Sequence, residues 1–261
     1  MLLTKRQRTS AVRIGFYLVS AMAVAAVVIV PDWGDLQRAF FQWDIVTEQF
    51  PDIITTAAKN TVLFTIYGFG GGLALGLMLA LMRISSFRPY RVFAGTVVDV
   101  IRGLPALLLI LLIGFALPIA TDVRISRTAR ASIALAIVAS AYIAETIRSG
   151  IQAIPPGQME AARSLGMSYS RAMVTVILPQ AFRIIIPPMT NELVLLLKDT
   201  ALVSVIGFTA AERELTRFGR DGVISSANAT PLVVAGLVYL ALTIPLTRLS
   251  AHLERRAGRH R

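Results

Sequence analysis

Cysteine is absent from this 261-residue chain. That excludes disulfides, thiolate chemistry and cysteine-bound metal. Histidine is nearly absent too. The two that occur, His252 and His260, lie close to the C-terminus, so a histidine metal centre or acid–base pair is not expected. No Gly-Lys dipeptide occurs, which leaves no phosphate-cradling Walker A loop. Charge is scarce: charged residues make up 16% of the chain, against roughly 25% in soluble domains. Lysine is the rarest cation, with three residues against 23 arginines. No cluster of nucleophiles, acids and metal ligands stands at one place, so an integral-membrane enzyme has little to rest on.

Apolar residues are abundant, at 55% of the chain, and the mean hydropathy is +0.67. Crossing a bilayer takes about 20 predominantly apolar residues. Six candidate spans fit, at residues 14–30, 53–82, 93–118, 131–147, 184–208 and 232–249. The fifth is interrupted by Glu192, Lys198 and Asp199. A net charge of +11 can indicate nucleic acid. Here the cations are dispersed between apolar runs, without a basic helix face, so no nucleic-acid partner is expected. With the N-terminus placed inside, sixteen Lys and Arg fall on the inner segments and seven on the outer ones. Positive charge favours the cytoplasmic side, so both termini are expected there. The loop carrying Arg124, Arg127 and Arg130 runs against that trend.

The N-terminus resembles a signal peptide, with basic residues, an apolar run and Ala23-Val24-Ala25. The small triplet sits inside the apolar run, which favours an uncleaved anchor. The first outer loop holds Asp32, Asp35, Asp44, Glu48 and Asp52 against Arg38. It reads either as a solvated linker or as a docking surface for an extracytoplasmic partner.

Residues 148–183 are too polar to span, yet patterned. Pro155-Pro156-Gly157 marks a break. A short helix through Glu160, Ala161 and Ala162 is predicted to end at Gly166. Ser168 is placed to cap a second helix stopping near Pro179. Two short helices joined at a glycine would form a protruding knob. A plain amphipathic hairpin on the membrane surface is the alternative.

Glu160-Ala161-Ala162, Gly166 and Leu178-Pro179 match the spacing EAA-x3-G-x9-I-x-LP, with Val176 in place of Ile. In these residues the chain resembles the permease subunits of type I ABC importers. Two further segments resemble the polar-amino-acid branch: Ile101-Arg102-Gly103-Leu104-Pro105, and Leu197-Lys198-Asp199-Thr200-Ala201-Leu202 continuing to Gly207. The resemblance covers about residues 55–256. It implies an all-α membrane bundle with a five-helix core preceded by one extra helix. Residues 1–54 would be the basic N-terminal segment, that helix and an outer loop, and 257–261 a basic cytoplasmic tail. It implies that the loop docks on a cytoplasmic ATPase dimer. It also implies a second permease, identical or paralogous, and an extracytoplasmic amino-acid-binding protein, in a bacterial inner membrane. ATP and Mg²⁺ would be bound by the ATPase, with no cofactor or metal on this chain.

Ionisable groups at bilayer depth usually face a bundle interior or water. Asp99 and Arg102 are spaced to pair on one helix face, and Pro105 is expected to break or bend that helix. Arg102, Asp99, Asn191, Glu192, Lys198 and Asp199 are the candidates for a translocation path; structural pairing between helices is the other reading. Gly68, Gly72, Gly76 and Ala80 recur every four residues, a small-residue stripe for close helix packing or a subunit interface. An ion-coupled secondary transporter remains the rival function. It would use Asp99, Glu192 or Asp199 for coupling and would have no need of the residue 160–179 loop.

Overall fold

A computed structural model describes residues 13–22, 25, 32–120 and 125–258. Among these every regular element is helical. Helix α1 (Arg13–Met22) covers the start of the expected first span; the rest of that span, with Ala23-Val24, the basic residues before Arg13 and Arg124, lies outside the described residues. The expected outer loop folds into two short helices, α2 (Trp33–Phe40) and α3 (Trp43–Glu48). Two of its acids are used locally. Asp32 caps α2, accepting from the Gly34 and Asp35 amides at 2.9 and 3.2 Å, and Asp35 pairs with Arg38 at 2.5 Å.

Four helices are long and apolar enough to cross a membrane: α4 (Ile53–Ile84), α7 (Arg127–Gln152), α9 (Tyr169–Ile206) and α11 (Thr230–Gly258). Between α4 and α7 stand α5 (Arg88–Gly103) and α6 (Ala106–Ala120), bent by 104° at their junction. The expected straight third span is therefore corrected to a broken pair, and the described spans number four, or five if the pair counts as one. The break is local chemistry. Pro105 has no amide to donate, and its ring forces Leu104 out of the helical region, to φ −100° and ψ 146°. Two shorter helices, α8 (Pro156–Ser164) and α10 (Leu215–Ser226), fill the turns.

Helix α7 is the axis of the bundle, buried along most of its length. Against it lies the glycine stripe of α4. A Cβ on Gly68 would stand 2.9 Å from the Cβ of Leu135, one on Gly72 2.8 Å from the Cβ of Ala139, and one on Gly76 2.7 Å from Ile143 Cγ2. Real carbon atoms do not approach so closely, so the stripe is what lets the two backbones pack. Within this chain the stripe serves core packing. Phe64, Leu79, Leu135, Ile143, Ile185 and Val203 fill the main core, while Ile53, Leu215, Phe218 and Val234 build a smaller one where α4 starts against α10 and α11.

The turns sort to two ends. At one, Asn60 donates to the carbonyls of Ala211 and Arg213 at 2.8 and 3.0 Å, Asn228 to that of Arg38 at 2.7 Å, and Thr128 to Glu212 at 3.2 Å. At the other, Arg83 on α4 meets Glu145 on α7 at 2.6 Å, and Gln180 on α9 reaches Gln158 on α8 at 3.4 Å. This alternation is the one assumed in dividing the charges between two sides.

The second helix of the expected knob does not stop near Pro179. Ser168 caps it as predicted, accepting from the Arg171 amide at 3.3 Å, but the helix runs on through Pro179, Pro187 and Pro188 to Ile206. A wide turn at Met173–Ile177 shifts the hydrogen-bond register just before Pro179, the residue that has no amide to give. Two side chains add bonds within the helix, Gln180 donating to the Val176 carbonyl at 2.8 Å and Thr190 to that of Ile186 at 2.9 Å. Proline is tolerated inside a spanning helix where local adjustments of this kind and packing against neighbouring helices support the backbone.

Candidate functional site

Helix α8 starts at a proline pair. Pro156 occupies its first turn, where a missing amide costs nothing. It ends in a left-handed turn. Gly166 has φ +82°, its amide donates to Arg163 at 3.0 Å, and the Met167 amide donates back to Ala162 at 3.2 Å. Those two bonds satisfy the last carbonyls of the helix and form a Schellman cap, which the EAA-x3-G spacing had signalled. Arg163 closes the turn from outside by donating to the Met167 carbonyl at 2.8 Å.

The result is a short helix with two faces. Ala162 is buried against the bundle, with Met159 half-buried beside it. Glu160, Ala161 and Gly166 point outward, and so does Leu165, which is 84% exposed. Leu165 thus stands at the tip of the turn, directly before Gly166. The sequence reading passed over Leu165; its only signal was an apolar residue between Glu160-Ala161-Ala162 and Gly166. Leu178 and Pro179, from the same motif, are not on this surface. They lie in the first turns of α9, below the knob, where Leu178 is half-buried.

Near the start of α8, at the end of α7, lies a charged joint built on Glu145, whose partners the sequence reading did not identify. Glu145 on α7 binds Arg83 of α4 and Arg148 of its own helix, and Arg148 also donates to Gln152. All three charged groups are about three-quarters buried at their side chains. The joint ties α4 to α7 at the end where α7 leads into α8.

The intramembrane candidates separate into two groups. Arg102 stands at the end of α5, with its guanidinium 5.7 Å from the centre of the Tyr142 ring on α7. Glu192 lies within the electrostatic reach of both Arg102 and Asp199. Glu192 and Asp199 are two helical turns apart on one face of α9, both half-buried. Among the described residues no ion pair or hydrogen bond engages the side chain of Glu192, Asp199, Asn191 or Lys198. Asp99 is exposed and does not pair with Arg102, contrary to the expectation from spacing. The guanidinium instead lies over the Tyr142 ring of α7, the helix that also carries Glu145. Glu192 is thus the candidate that feels both Arg102, itself exposed, and Asp199, while Asp99, Asn191 and Lys198 are exposed and stand apart from it.

Residues 72–259 match the family described as binding-protein-dependent transport system inner membrane component. The arginine transport system permease protein ArtQ of Bacillus subtilis (strain 168) is 40% identical over 185 residues, 71% of this chain and 83% of ArtQ. The probable glutamine ABC transporter permease protein GlnM of the same organism is 38% identical over 200 residues, 76% of this chain and 89% of GlnM. Among solved structures, a crystal structure of an amino acid ABC transporter with histidines superposes with a TM-score of 0.74 at 38% identity, covering 82% of this chain and 98% of that one. With the broken α5–α6 pair, the continuous α9 and the capped α8 knob on a helix bundle of this kind, the chain belongs to the binding-protein-dependent transport system inner membrane components, the permease subunits of ABC importers.

Proposed function

We propose that this chain forms the translocation pathway for a polar amino acid, and that it takes the energy of ATP hydrolysis from a separate cytoplasmic ATPase through α8. The observation that carries the substrate class is the group Arg102, Glu192 and Asp199. A zwitterion leaving water must find partners for both of its charges, because losing hydration without replacement costs several kcal/mol. Two half-buried carboxylates on one face of α9, with the Arg102 guanidinium acting on Glu192, supply both signs along that face. Relatives that carry the names of arginine and glutamine transporters support the same class.

In this reading α8 seats Leu165, Ala161 and Gly166 in a groove of the ATPase, and the Glu145–Arg83–Arg148 joint passes its movement to α4 and α7. Two such permeases, this chain with a copy or a paralogue, would face each other with two ATPase subunits beneath. An extracytoplasmic binding protein would deliver substrate to the end carrying α2, α3 and α10. The charge census supports an orientation with both termini and α8 in the cytoplasm, and the family supports a bacterial inner membrane. The test of the substrate class is uptake by the reconstituted permease, ATPase and binding protein across labelled amino acids, sugars and oligopeptides. Uptake of glutamate, glutamine, histidine, arginine or a related amino acid is expected. Uptake of a sugar or peptide alone would refute the substrate class and leave the family membership untouched.

A further inference from the structure

Glu214 is the only carboxylate among the described residues that is completely buried. It stands just before α10, in the turn between α9 and α11. Its side chain accepts from the Thr216 and Arg217 amides, each at 2.6 Å, and so caps α10. Tyr239 of α11 places its hydroxyl 3.0 Å from Glu214 Oε2. The same hydroxyl lies 3.3 Å from Thr200 Oγ1 on α9 and 3.3 Å from Thr216 Oγ1. Close by, the Leu215 amide donates to Thr61 of α4 at 3.1 Å. Four helices therefore meet at one polar centre inside an apolar surround.

Among the described residues no cation pairs with this carboxyl. The charged groups nearest to it in the fold are Lys59 on α4, Lys198 and Asp199 on α9, Glu212 and Arg213 in the turn before α10, and Arg217, Arg220 and Asp221 on α10; α11 reaches it through the Tyr239 hydroxyl. Arg217 and Arg213 are taken by Asp221, at 2.9 and 3.6 Å, and none of the others forms an ion pair with Glu214. A buried carboxylate without a counter-charge is costly, and the usual escape is to bind a proton. Burial pushes Glu214 up to about 7, although its two backbone amides pull the other way.

The hydrogens decide between the two forms. Thr200 spends its single hydroxyl hydrogen on the Leu197 carbonyl, at 2.6 Å. Its contact with Tyr239 must then be filled by the Tyr239 hydrogen. If Glu214 is a carboxylate, Tyr239 has to donate to it, and the Thr200 contact has no hydrogen left. If Glu214 is a carboxylic acid, it donates to Tyr239, which is then free to donate to Thr200. Only the acid fills every contact in the chain.

We propose that Glu214 is protonated in the resting permease and that its proton starts a hydrogen-bond chain, from Glu214 to Tyr239 to Thr200 to the Leu197 carbonyl, that clamps the end of α9 to α10 and α11. Loss of the proton reverses the Tyr239 hydroxyl and releases Thr200. The released end is the one that carries Lys198 and Asp199. The extracytoplasmic end of the bundle is thereby sensitive to proton concentration, with Glu214 as a positioning residue that touches no substrate. That sidedness rests on the proposed orientation, but the protonation state does not.

The test is infrared difference spectroscopy of the full chain in lipid bilayers, titrated from acid to alkaline pH. Wild type should show a protonated-carboxyl band at acid pH that is lost on passing through neutrality. Glu214→Gln should lack the band. The carboxamide of that variant cannot accept both backbone amides, so Tyr239→Phe, which leaves the cap intact, is the second variant. It should keep the band but shift its frequency, because the acid has lost its acceptor. A wild-type spectrum without the band at acid pH, a band that survives Glu214→Gln, or a band unmoved by Tyr239→Phe would overturn the proposal. None of these outcomes depends on which substrate the permease carries.

Discussion

At Gly166, the backbone shape of the turn after α8 and its surface chemistry can be varied separately. Its φ of +82° lies in the left-handed region, and no atom stands within 4 Å of the position a Cβ would take. A substitution there meets no steric neighbour, so its cost is backbone strain alone. For an ordinary L-residue that strain is about 1–2 kcal/mol, while asparagine tolerates the conformation better. The turn is held by the bonds from Gly166 to Arg163 and from Met167 to Ala162, each worth about 1 kcal/mol net. The strain of Gly166→Ala is therefore comparable with what holds the turn closed. It should shift the closed turn toward the open one by roughly 5- to 30-fold, at about 1.4 kcal/mol per tenfold. Gly166→Asn should shift it much less. Gly166→Asp shares the backbone tolerance of asparagine and adds a charge at the exposed tip beside Leu165. The assay is ATP hydrolysis stimulated by the loaded binding protein, together with retention of the ATPase on the purified permease. Coupled hydrolysis should rank Gly166 and Gly166→Asn above Gly166→Ala, with Gly166→Asp below Gly166→Asn. If alanine and aspartate both behave like glycine, the turn is not a docking element.

The α4–α7 contact predicts a contrast within one helix. Gly76→Ala would drive a methyl to 2.7 Å from Ile143, whereas Gly70→Ala meets open space; overpacking costs about 1–3 kcal/mol. Gly76→Ala should therefore lower the melting temperature of the solubilised permease relative to Gly70→Ala, and equal melting would refute the packing role of the stripe. Glu214 predicts a pH dependence of stability. Its folded value of about 7 lies above the ordinary 4.5, so the folded state binds the extra proton between those two limits. Stability should fall as pH rises from 4.5 to 7, by about 3 kcal/mol if this group acts alone, at 1.36 kcal/mol per unit. Thermal melts of wild type should show the slope, and Glu214→Gln should flatten it. In the pathway, Glu192→Gln should raise the KM for uptake by about tenfold or more, the worth of a charged hydrogen bond, while leaving ATPase binding unchanged.

Much of this was legible in the residues, for physical reasons that differ from place to place. The α8 turn could be read because each motif position has one demand: a proline at the first turn, a small face, a residue that accepts positive φ. The glycine stripe could be read because a four-residue repeat has only one face. The second helix was ended near Pro179 because a proline looks like a stop, and the wide turn at Met173–Ile177 that carries the helix past it has no recognised sequence signal. Pro105 gave away the bend between α5 and α6, but not that its 104° angle breaks the third span. Arg102 was paired with Asp99 on helical spacing alone, with no way to see the Tyr142 ring on another helix. The Glu145–Arg83 joint spans 62 positions of sequence, beyond the reach of local pattern. The sequence reading did not single out Glu214, since burial leaves no mark on a single residue.

The most direct measurement is uptake by proteoliposomes containing this permease, with the ATPase and binding protein added or withheld. Labelled amino acid should accumulate only when all three proteins and ATP on the ATPase side are present, and Gly166→Asp should abolish accumulation without loss of inserted permease. Accumulation driven by an ion gradient alone, with no ATPase present, would contradict the coupling of this chain to ATP and would return the intramembrane carboxylates to ion transport.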